Sequence, residues 1–386
     1  MLRIVAVLAA LWASAATADV QVAIYYLRHE VTAPPTLSGL DPIPQDEGIR
    51  GAELALADNA TTGQFLGHAY SLEATSVAPD GDILAAARAA LAETGLLVLD
   101  APAATLLAIA DLPEAQGALI FNAAAEDEAL RSEDCRANVL HTAPSLTMRT
   151  DALMQFLVQR RWTATALIAG TLPEDLAYAE ALRRSATKFQ IRIAGEKTWA
   201  FDADMRRNAS QEVPLFTQDL PRHDILLVAD EWGDFARYVM FNTWEPKLVA
   251  GSEGMSPVTW SPVLEQWGAT QLQNRFAALA GRGMRPRDYA VWVAVRSIGE
   301  AVTRTGAADV PTLRAFLLSD DFELAGFKGR PMTFRAWNGQ LRQPIPVVHP
   351  RALVAMAPLE GFLHQRSELD TLGLDQPESA CTAFGG

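Results

Sequence analysis

The stretch GLLVLDAPAATLLAIADLPEAQGALIFNA, residues 95–123, contains two short apolar runs separated by a helical pattern. Residues 95–100 and 117–123 are almost continuously apolar, which is typical of strands covered on both faces. Residues 104–112 carry the apolar spacing of a helix. A strand, a helix and a second buried strand in this order predict neighbouring strands of a parallel sheet.

The same alternation continues along most of the chain. It starts at Val20–Leu27 and resumes after residue 145 in a second series. The other predicted strands are HAYSLEAT, TATALIAG, IRIAGEKTW, DILLVAD and KLVAG, and the other predicted helices are IRGAELALADNA, DGDILAAARAALAET (with Asp80 or Asp82 near its N-cap), LTMRTDALMQFLVQRRW, DLAYAEALRRSATKF and FARYVMFNT. Two such series predict an α/β protein of two lobes, each with a parallel-sheet core.

The last third of the chain departs from this alternation. Residues 285–306, RPRDYAVWVAVRSIGEAVTRTG, predict a long helix, and residues 310–319 predict a shorter one. Residues 331–348, PMTFRAWNGQLRQPIPVV, predict a hairpin around Asn338-Gly339, since Asn-Gly favours a two-residue turn.

The N-terminus has the composition of an export signal. Arg3 precedes an apolar stretch over residues 4–12, and Ala16 and Ala18 precede Asp19. We interpret residues 1–18 as a cleaved secretory signal peptide, the alternative being a buried first helix. No later apolar run is long enough to span a bilayer, so we expect no direct membrane insertion.

The formal net charge of the chain is −14, and removing Arg3 with the predicted signal makes it −15. Such a balance argues against nucleic acid and anionic membranes as partners.

Export also affects the interpretation of the two cysteines, because an oxidising compartment allows Cys135 and Cys381 to form a disulfide. The alternative is two buried free thiols.

Motifs for catalysis, metals or cofactors are weak or absent in the sequence. The six histidines show no zinc-ligand spacing, and the chain has neither G-x-G-x-x-G nor G-x-x-x-x-G-K-[ST]. Ser252 in AGSEG superficially resembles a nucleophile elbow, but a clear helix does not follow it. We therefore predict no catalytic residue, no metal and no cofactor.

Three segments together resemble type I periplasmic solute-binding proteins, the receptors of ABC importers such as those for branched-chain amino acids. They are GIRGAELALAD, DYAVWVAVRSIGEAVTRTG and FELAGFKGRPMTFRAWNGQLRQPIPVV. The chain also resembles, in four segments, a branch of this family that is associated with PQQ-dependent alcohol dehydrogenase systems. The segments are CRANVLHTAPS, VADE, GATQLQNRF and the LDTLGLD…ESAC tail.

The resemblance implies two Rossmann-like lobes joined by a three-crossover hinge, with crossings near residues 141–145 and 255–262. Lobe one is then residues 19–142 plus 260–331, lobe two is 143–259 plus 332–357, and 358–386 form a C-terminal tail. It also implies a periplasmic, monomeric protein that binds a small-molecule ligand and delivers it to an ABC permease in the inner membrane. A sensor or accessory protein of alcohol oxidation with the same fold stays open as an alternative.

The ligand is expected in the cleft, at the carboxyl ends of the strands. The resemblance places the lobe-one ligand residues at Asp100, Ala101, Pro102, Asn122, Ala123 and Glu126. Small residues here let a ligand approach the backbone, but the hydroxyls that relatives use for a carboxylate are missing. An uncompensated Glu126 would repel a carboxylate by about 1 to 4 kcal/mol, so we expect no α-amino acid bound in the usual way.

In lobe two the resemblance places ligand residues at Thr171, Asp230, Glu231, Trp232 and Glu253. An acidic and aromatic cleft favours a cationic or neutral ligand stacked on Trp232. The alternative for each carboxylate is that it faces solvent or caps a helix.

Overall fold

The computed structural model describes residues 20–34, 42–200 and 205–385, so the predicted signal peptide lies outside the described residues. The strands are β1 (Val20–His29), β2 (His68–Val77), β3 (Leu96–Asp100), β4 (Leu119–Asn122), β5 (Val139–His141), β6 (Ala164–Ala169), β7 (Arg192–Thr198), β8 (Ile225–Ala229), β9 (Leu248–Gly251), β10 (Ser256–Pro257), β11 (Leu324–Ala325), β12 (Pro331–Phe334), β13 (Leu341–Arg342), β14 (Ile345–His349) and β15 (Ala352–Ala357). The α-helices are α1 (Ile49–Leu66), α2 (Ile83–Glu93), α3 (Ala103–Ala110), α4 (Leu146–Gln159), α5 (Pro173–Lys188), α6 (Met205–Thr217), α7 (Ala236–Asn242), α8 (Ala269–Ala280), α9 (Pro286–Thr305) and α10 (Val310–Leu317).

Local chemistry sets several helix ends. Asp82, rather than Asp80, caps α2, because its Oδ1 accepts the backbone N–H of Ala85 at 2.9 Å. Pro286 begins α9 at a position where its missing N–H costs nothing. Gly67 ends α1 with a φ of 71°, a left-handed conformation that glycine adopts without strain.

Two parallel sheets form the framework, which confirms the predicted α/β class. The first has the strand order β2-β1-β3-β4-β5, and the second has the order β7-β6-β8-β9. Each sheet is covered on both faces. Val98 of β3 packs in the apolar core with α1 and α9, whereas its neighbours Leu97 and Leu99 pack on the opposite face with α2 and α3.

Before the C-terminal tail, the described part of the chain passes between the two lobe cores three times. Leu140 belongs to the core of the first sheet and Met148 to that of the second. The chain returns between Met255 and Trp260 and crosses again between Leu341 and Ile345. The first two passages coincide with the crossings expected near residues 141–145 and 255–262.

Arg131 is the polar centre of these crossings and is 1% exposed. Its Nε donates to Gln340 Oε1 at 2.8 Å, and its Nη1 donates to the carbonyl of Ala125, also at 2.8 Å. Its Nη2 donates to the carbonyl of Ala143, in the first crossing, at 2.9 Å. Burial lowers the pKa of Arg131 to about 10, which still leaves the guanidinium charged at neutral pH.

The hairpin lies in a different lobe from the one predicted. Residues 332–342 were expected in lobe two, but Met332, Phe334 and Leu341 pack in the core of the first sheet. The reason is that β12 pairs with β11 as well as with β13, which keeps the hairpin on lobe one. The other predicted lobe boundaries stay predictions.

The hairpin turn is also longer than predicted. The backbone N–H of Arg335 donates to the carbonyl of Gln340, and that of Gly339 donates to the carbonyl of Arg335, both at 2.8 Å. Residues 336–339 therefore form a four-residue loop. Asn338 is fully buried and donates from Nδ2 to the carbonyl of Arg131 at 3.2 Å.

The C-terminal tail contacts both lobes. On lobe two, the N–H of Gly373 donates to Asp151 Oδ2 at 2.8 Å. On lobe one, Arg335 Nε donates to Asp370 Oδ1 at 2.8 Å, and both side chains are 2% exposed. Near its end the tail is joined to lobe one by the disulfide between Cys135 and Cys381, which confirms that expectation.

Among the described residues, no helix combines the length and the apolar character that a membrane span requires.

We predict that Cys135→Ser lowers the unfolding free energy by up to about 5 kcal/mol, because the disulfide closes a loop between residues 246 positions apart. Urea unfolding under oxidising conditions measures the change. Cys381→Ser and the double variant are expected to match it, since all three lose the same bond. A double variant that loses the sum of the two single effects would show that the cysteines contribute independently.

Candidate functional site

One arginine joins carboxylates from both lobes. Arg149, in α4, donates from Nη1 to Glu126 Oε2 at 2.6 Å and to Glu231 Oε2 at 2.8 Å. Glu126 follows β4 of the first sheet, and Glu231 follows β8 of the second. The carboxyl edges of the two parallel sheets therefore meet at this cluster of Arg149, Glu126 and Glu231, hereafter the Arg149 cluster.

The Arg149 cluster is largely enclosed. The Arg149 side chain is 13% exposed, and its guanidinium lies 4.9 Å from the centre of the Tyr178 ring. Burial on its own would lower the pKa of Arg149, but Glu126 and Glu231 raise it well above the ordinary value. Since two carboxylates share one cation, the cluster carries a net charge of −1 when all three groups are ionised.

Neighbouring groups fix the position of Glu231. Ser252 Oγ donates to Glu231 Oε1 at 2.8 Å and accepts the backbone N–H of Asp230 at 2.9 Å. The backbone N–H of Glu231 donates to Asp175 Oδ1 at 2.8 Å. Arg149 of α4 and Ser252 of the turn after β9 thus hold the carboxylate of Glu231, and Asp175 of α5 holds its backbone.

That turn requires glycine on both sides of Ser252. Gly251 and Gly254 have φ values of 117° and 79°, which side chains rarely adopt. A Cβ at Gly251 would clash with the carbonyl oxygen of Val228, and one at Gly254 with that of Val249. Gly251 therefore allows the close approach of β9 to β8, and Gly254 allows the turn to fold back onto β9, so that Ser252 reaches Glu231.

Asp175 is the titratable group of this site. It is 2% exposed, and its Oδ2 accepts the backbone N–H of Leu172 at 3.2 Å at the start of α5. Burial raises the pKa of Asp175 to about 6, the N–H of Glu231 opposes this, and the charge of Asp230 adds to it. Asp175 therefore exchanges its proton in the mildly acidic range.

A second polar network lies on the lobe-one side, around Asp100 at the end of β3. Tyr26 Oη donates to Asp100 Oδ2 at 2.9 Å, and Arg287 Nη1 donates to Asp100 Oδ1 at 2.6 Å. Arg28 lies 3.9 Å from the same carboxylate. Asp100 is 6% exposed, so its charge is compensated within lobe one.

Within residues 20–34, 42–200 and 205–385, no group of three or more His, Cys, Asp and Glu side chains has the arrangement of a metal site.

No protein-family model and no curated protein matches the chain. Solved structures do match. A branched chain amino acid ABC transporter periplasmic ligand-binding protein from Burkholderia xenovorans LB400 has a TM-score of 0.71 at 16% identity, covering 94% of this chain and 100% of that one. A periplasmic binding protein from Burkholderia mallei has a TM-score of 0.67 at 16% identity, with 94% and 99% covered. The fold is that of the type I periplasmic binding proteins.

The same fold occurs in a solute binding protein of an ABC transporter from R. palustris, solved in complex with benzoate. Its TM-score is 0.63 at 12% identity, and the match covers 94% of this chain and 99% of that one. In a type I binding protein the carboxyl edges of the two sheets border the cleft between the lobes. In this chain the Arg149 cluster lies where the carboxyl edges of the two sheets meet.

The predicted lobe-one ligand residues differ in their surroundings. Glu126 was expected to be uncompensated, and this is wrong, because it pairs with Arg149 of lobe two at 2.6 Å. Asn122 was expected to point at the cleft, but it is fully buried. Its Oδ1 accepts the N–H groups of Ala124 and Ala125, at 3.1 and 2.9 Å, so the amide holds the turn together.

The backbone at these turns is also partly occupied. The N–H of Ala123 donates to the carbonyl of Leu99 at 3.0 Å, which removes it from any ligand. Ala101 is buried, whereas Pro102 is exposed at the N-terminus of α3. Of the lobe-one set, Glu126 is the side chain that contacts lobe two.

On lobe two, Asp230 has the alternative role of a cap. Its Oδ1 accepts the N–H of Asp234 at 2.9 Å, and its Oδ2 accepts those of Phe235 and Ala236, both at 2.7 Å, at the start of α7. Burial raises the pKa of Asp230, and these three N–H groups oppose that rise. Asp230 thus shapes the turn that positions Glu231.

The remaining lobe-two predictions lie on the turns around Glu231. Trp232 and Glu253 are half-buried, and Thr171 is exposed in the turn after β6. Trp232 follows Glu231 directly, and Glu253 follows Ser252, which contacts Glu231. Their contact with a ligand stays a prediction.

Sequence reasoning missed Arg149, Asp175 and Tyr178. For Arg149 a signal existed, because a cation in the first turn of a helix opposes the helix dipole. Such a placement indicates carboxylates nearby. Asp175 was recognisable only as a residue of a helix start after Pro173, and nothing in the sequence indicates its raised pKa.

We predict that Arg149→Ala destabilises the protein by about 3–5 kcal/mol, because it leaves two partly buried carboxylates facing each other without a cation. Chemical unfolding measures the loss. The matched control is Arg183→Ala, whose pairs with Glu180 and Glu196 are more exposed, and it should cost at most about 1 kcal/mol. Equal losses in the two variants would contradict the role given to Arg149.

We predict that Asp175→Asn changes how stability depends on pH. The pKa of Asp175 is about 6 in the folded protein against 3.8 for an unperturbed carboxyl, so the folded state binds the proton more tightly. The wild type therefore loses about 3 kcal/mol from this group as the pH rises from about 4 to above 6. The variant does not lose this contribution.

Unfolding free energies at pH 4 and pH 7 test this. The unfolding free energy of the wild type minus that of Asp175→Asn should be larger at pH 4 than at pH 7. Glu180→Gln, at an exposed position, should show no such difference. A pH-independent difference between the wild type and Asp175→Asn would show that Asp175 does not titrate in this range.

Proposed function

We propose that this protein is a periplasmic substrate-binding protein of an ABC transporter that captures a small polar or aromatic solute between two closing lobes. It is a binding protein and not an enzyme. The observation that carries the proposal is the contact of Glu126 and Glu231, one from each lobe, through Arg149. This contact lies where the carboxyl edges of two parallel sheets face each other, the usual position of ligand sites in open α/β folds.

The hinge is suited to such closure. A side-chain amide joins the first and third crossings: Gln343 Nε2 donates to the carbonyl of Thr142 at 2.8 Å, and Gln343 Oε1 accepts from Lys328 Nζ at 2.8 Å. Closure of the lobes about these crossings would bury a ligand, and ligand binding shifts the population toward the closed form.

The charges of the site favour a neutral or cationic solute. Glu126 and Glu231 share one arginine, and Glu253 adds a further carboxylate one residue from Ser252. A ligand carboxylate would have to compete with both glutamates for Arg149. Trp232 offers an indole for an aromatic or alkylammonium group. An aromatic ligand is in line with the benzoate complex of the R. palustris protein, but a carboxylate is disfavoured here.

We further propose an inner-membrane ABC permease as the partner and PQQ-dependent alcohol oxidation as the context. The permease follows from the ABC transporter proteins that share this fold. The alcohol-oxidation context rests only on the sequence resemblance of CRANVLHTAPS and of the C-terminal tail. Affinity purification from the native membrane tests both, since a permease supports transport, whereas a histidine kinase or a dehydrogenase supports the sensor or accessory alternative.

The first experiment is native mass spectrometry of the protein isolated from its own periplasm, followed by denaturation and analysis of what is released. A stoichiometric small molecule is expected, and it would identify the ligand. A protein that carries nothing and binds no metabolite from a periplasmic extract would contradict solute binding.

We predict that Trp232→Ala and Glu253→Ala each weaken binding of the released ligand at least about tenfold without unfolding the protein, because each removes a contact from the cleft. Calorimetric titration measures the affinity. Trp267→Ala and Glu180→Ala, at exposed positions elsewhere, serve as matched controls. Unchanged affinity in both cleft variants would remove these residues from the site.

A further inference from the structure

The C-terminal tail makes a further passage between the lobes after the three crossings. It leaves β15, whose last residue, Ala357, is buried in the core of the second sheet. Further along the tail, Leu372 is fully buried in that same core. The tail then returns to lobe one, where Cys381 is bonded to Cys135 and Phe384 packs against the first core. The tail therefore begins on lobe two and is fastened to lobe one near its far end.

Residues 369–374 of the tail, hereafter the strap, are bonded to both lobes. On the lobe-one side, Arg335 Nη2 donates to the carbonyl of Leu372 at 2.7 Å. The Nε atoms of Arg335 and Arg342 both donate to Asp370 Oδ1, each at 2.8 Å. Asp370 is 2% exposed, so buried ion pairs join the strap to the hairpin.

Lobe two bonds to the same short segment. Lys188 Nζ donates to the carbonyl of Gly373 at 2.8 Å and to that of Thr371 at 3.2 Å. The backbone N–H of Gly373 donates to Asp151 Oδ2 at 2.8 Å, and Lys188 pairs with this carboxylate at 2.7 Å. The carbonyls of Thr371 and Gly373 are thus bonded to lobe two, whereas that of the intervening Leu372 is bonded to lobe one.

The strap and the Arg149 cluster lie on different faces of α4. Asp151 and Gln155, one helical turn apart, both contact the strap, and Gln155 Nε2 donates to Thr371 Oγ1 at 2.9 Å. Arg149 precedes Asp151 by two residues, which is a rotation of about 200° at 3.6 residues per turn. A rotation of lobe two relative to lobe one moves α4, and the bonds of the strap to lobe one oppose that movement.

The strap is costly to detach from either lobe. Asp151 on lobe two is 1% exposed, and Asp370 of the strap is 2% exposed. Leaving either carboxylate buried without its cation is strongly unfavourable, unlike the loss of an exposed ion pair. The disulfide adds to this restraint, because Cys381 follows Leu374 closely in sequence and keeps a detached strap beside its site. A short tether of this kind gives a high effective concentration for rebinding.

We propose that the strap restrains the lobes: it holds them in the arrangement seen here and limits the rotation of one relative to the other. The disulfide keeps the strap in place, and loss of the disulfide lets the lobes rotate further. This restraint acts on the movement that the proposed solute binding requires, but it exists whether or not a solute binds.

The distance between the lobes tests the proposal. Nitroxide labels are coupled to ketone-bearing residues at the exposed positions Gln64 of α1 and Glu180 of α5, which leaves both cysteines unlabelled. The protein is first freed of any bound solute by unfolding in urea, dialysis and refolding. Double electron–electron resonance then gives the distribution of distances between the labels.

The double variant Cys135→Ser/Cys381→Ser and the variant Lys188→Met should each widen this distribution at least about twofold, because fewer bonds hold the lobes in one arrangement. Reduction of the wild-type disulfide with dithiothreitol should have the same effect as the double variant. The matched control is Lys197→Met, also on lobe two, whose Nζ donates to the carbonyl of Phe216 away from the strap, and it should leave the distribution unchanged. Circular dichroism checks that each variant is folded.

Three results would overturn the proposal. The first is an unchanged distribution in both strap variants together with a lower unfolding free energy, which would show that the tail stabilises the fold without restraining the lobes. The second is a wild-type distribution as wide as those of the variants, and the third is equal widening by Lys197→Met. None of these results concerns solute binding, which the analysis of the released ligand tests separately, so either proposal can fail while the other stands.

Discussion

The architecture depends on one buried guanidinium, that of Arg131. A buried charge is costly unless it is hydrogen-bonded. Arg131 donates to carbonyls of the turn after β4 and of the first crossing, together with the amide of Gln340 in the hairpin. Its own carbonyl accepts from Ser379 in the tail, at 2.8 Å. Segments far apart in sequence are therefore fixed relative to one another at the point where the lobes join.

Much of the fold was predictable because the signal is local. Continuous apolar runs such as Leu96–Asp100 and intervening helical patterns report parallel strands without knowledge of their partners. Residues 332–342 of the hairpin were assigned to the wrong lobe because their position depends on pairing with Leu324–Ala325, a contact that the pattern of the hairpin itself does not show. Its turn was misjudged for a similar reason, since Asn338 pairs with the distant Arg131.

The predicted site residues include two that the structure brings together. Glu126 and Glu231, at the ends of β4 and β8, both pair with Arg149, and their contact with a ligand stays a prediction. The arginine between them comes from α4, so its role is set by tertiary contacts and not by any motif. Asn122 and Asp230 show the opposite error, because polar residues at strand ends serve the turn as readily as they serve a ligand. The fold alone therefore does not identify the side chains of a site.

The discontinuous lobes have a consequence for dissection of the protein. The core of the first sheet contains Val22 near one end and Leu341 near the other, and Phe384 packs against it. No single cut in the chain can release either lobe intact. A fragment ending before residue 341 lacks part of the first core, whatever else it contains. Isolated lobes would have to be made by joining separate segments through new linkers, and a reporter inserted at a crossing would disturb both cores together.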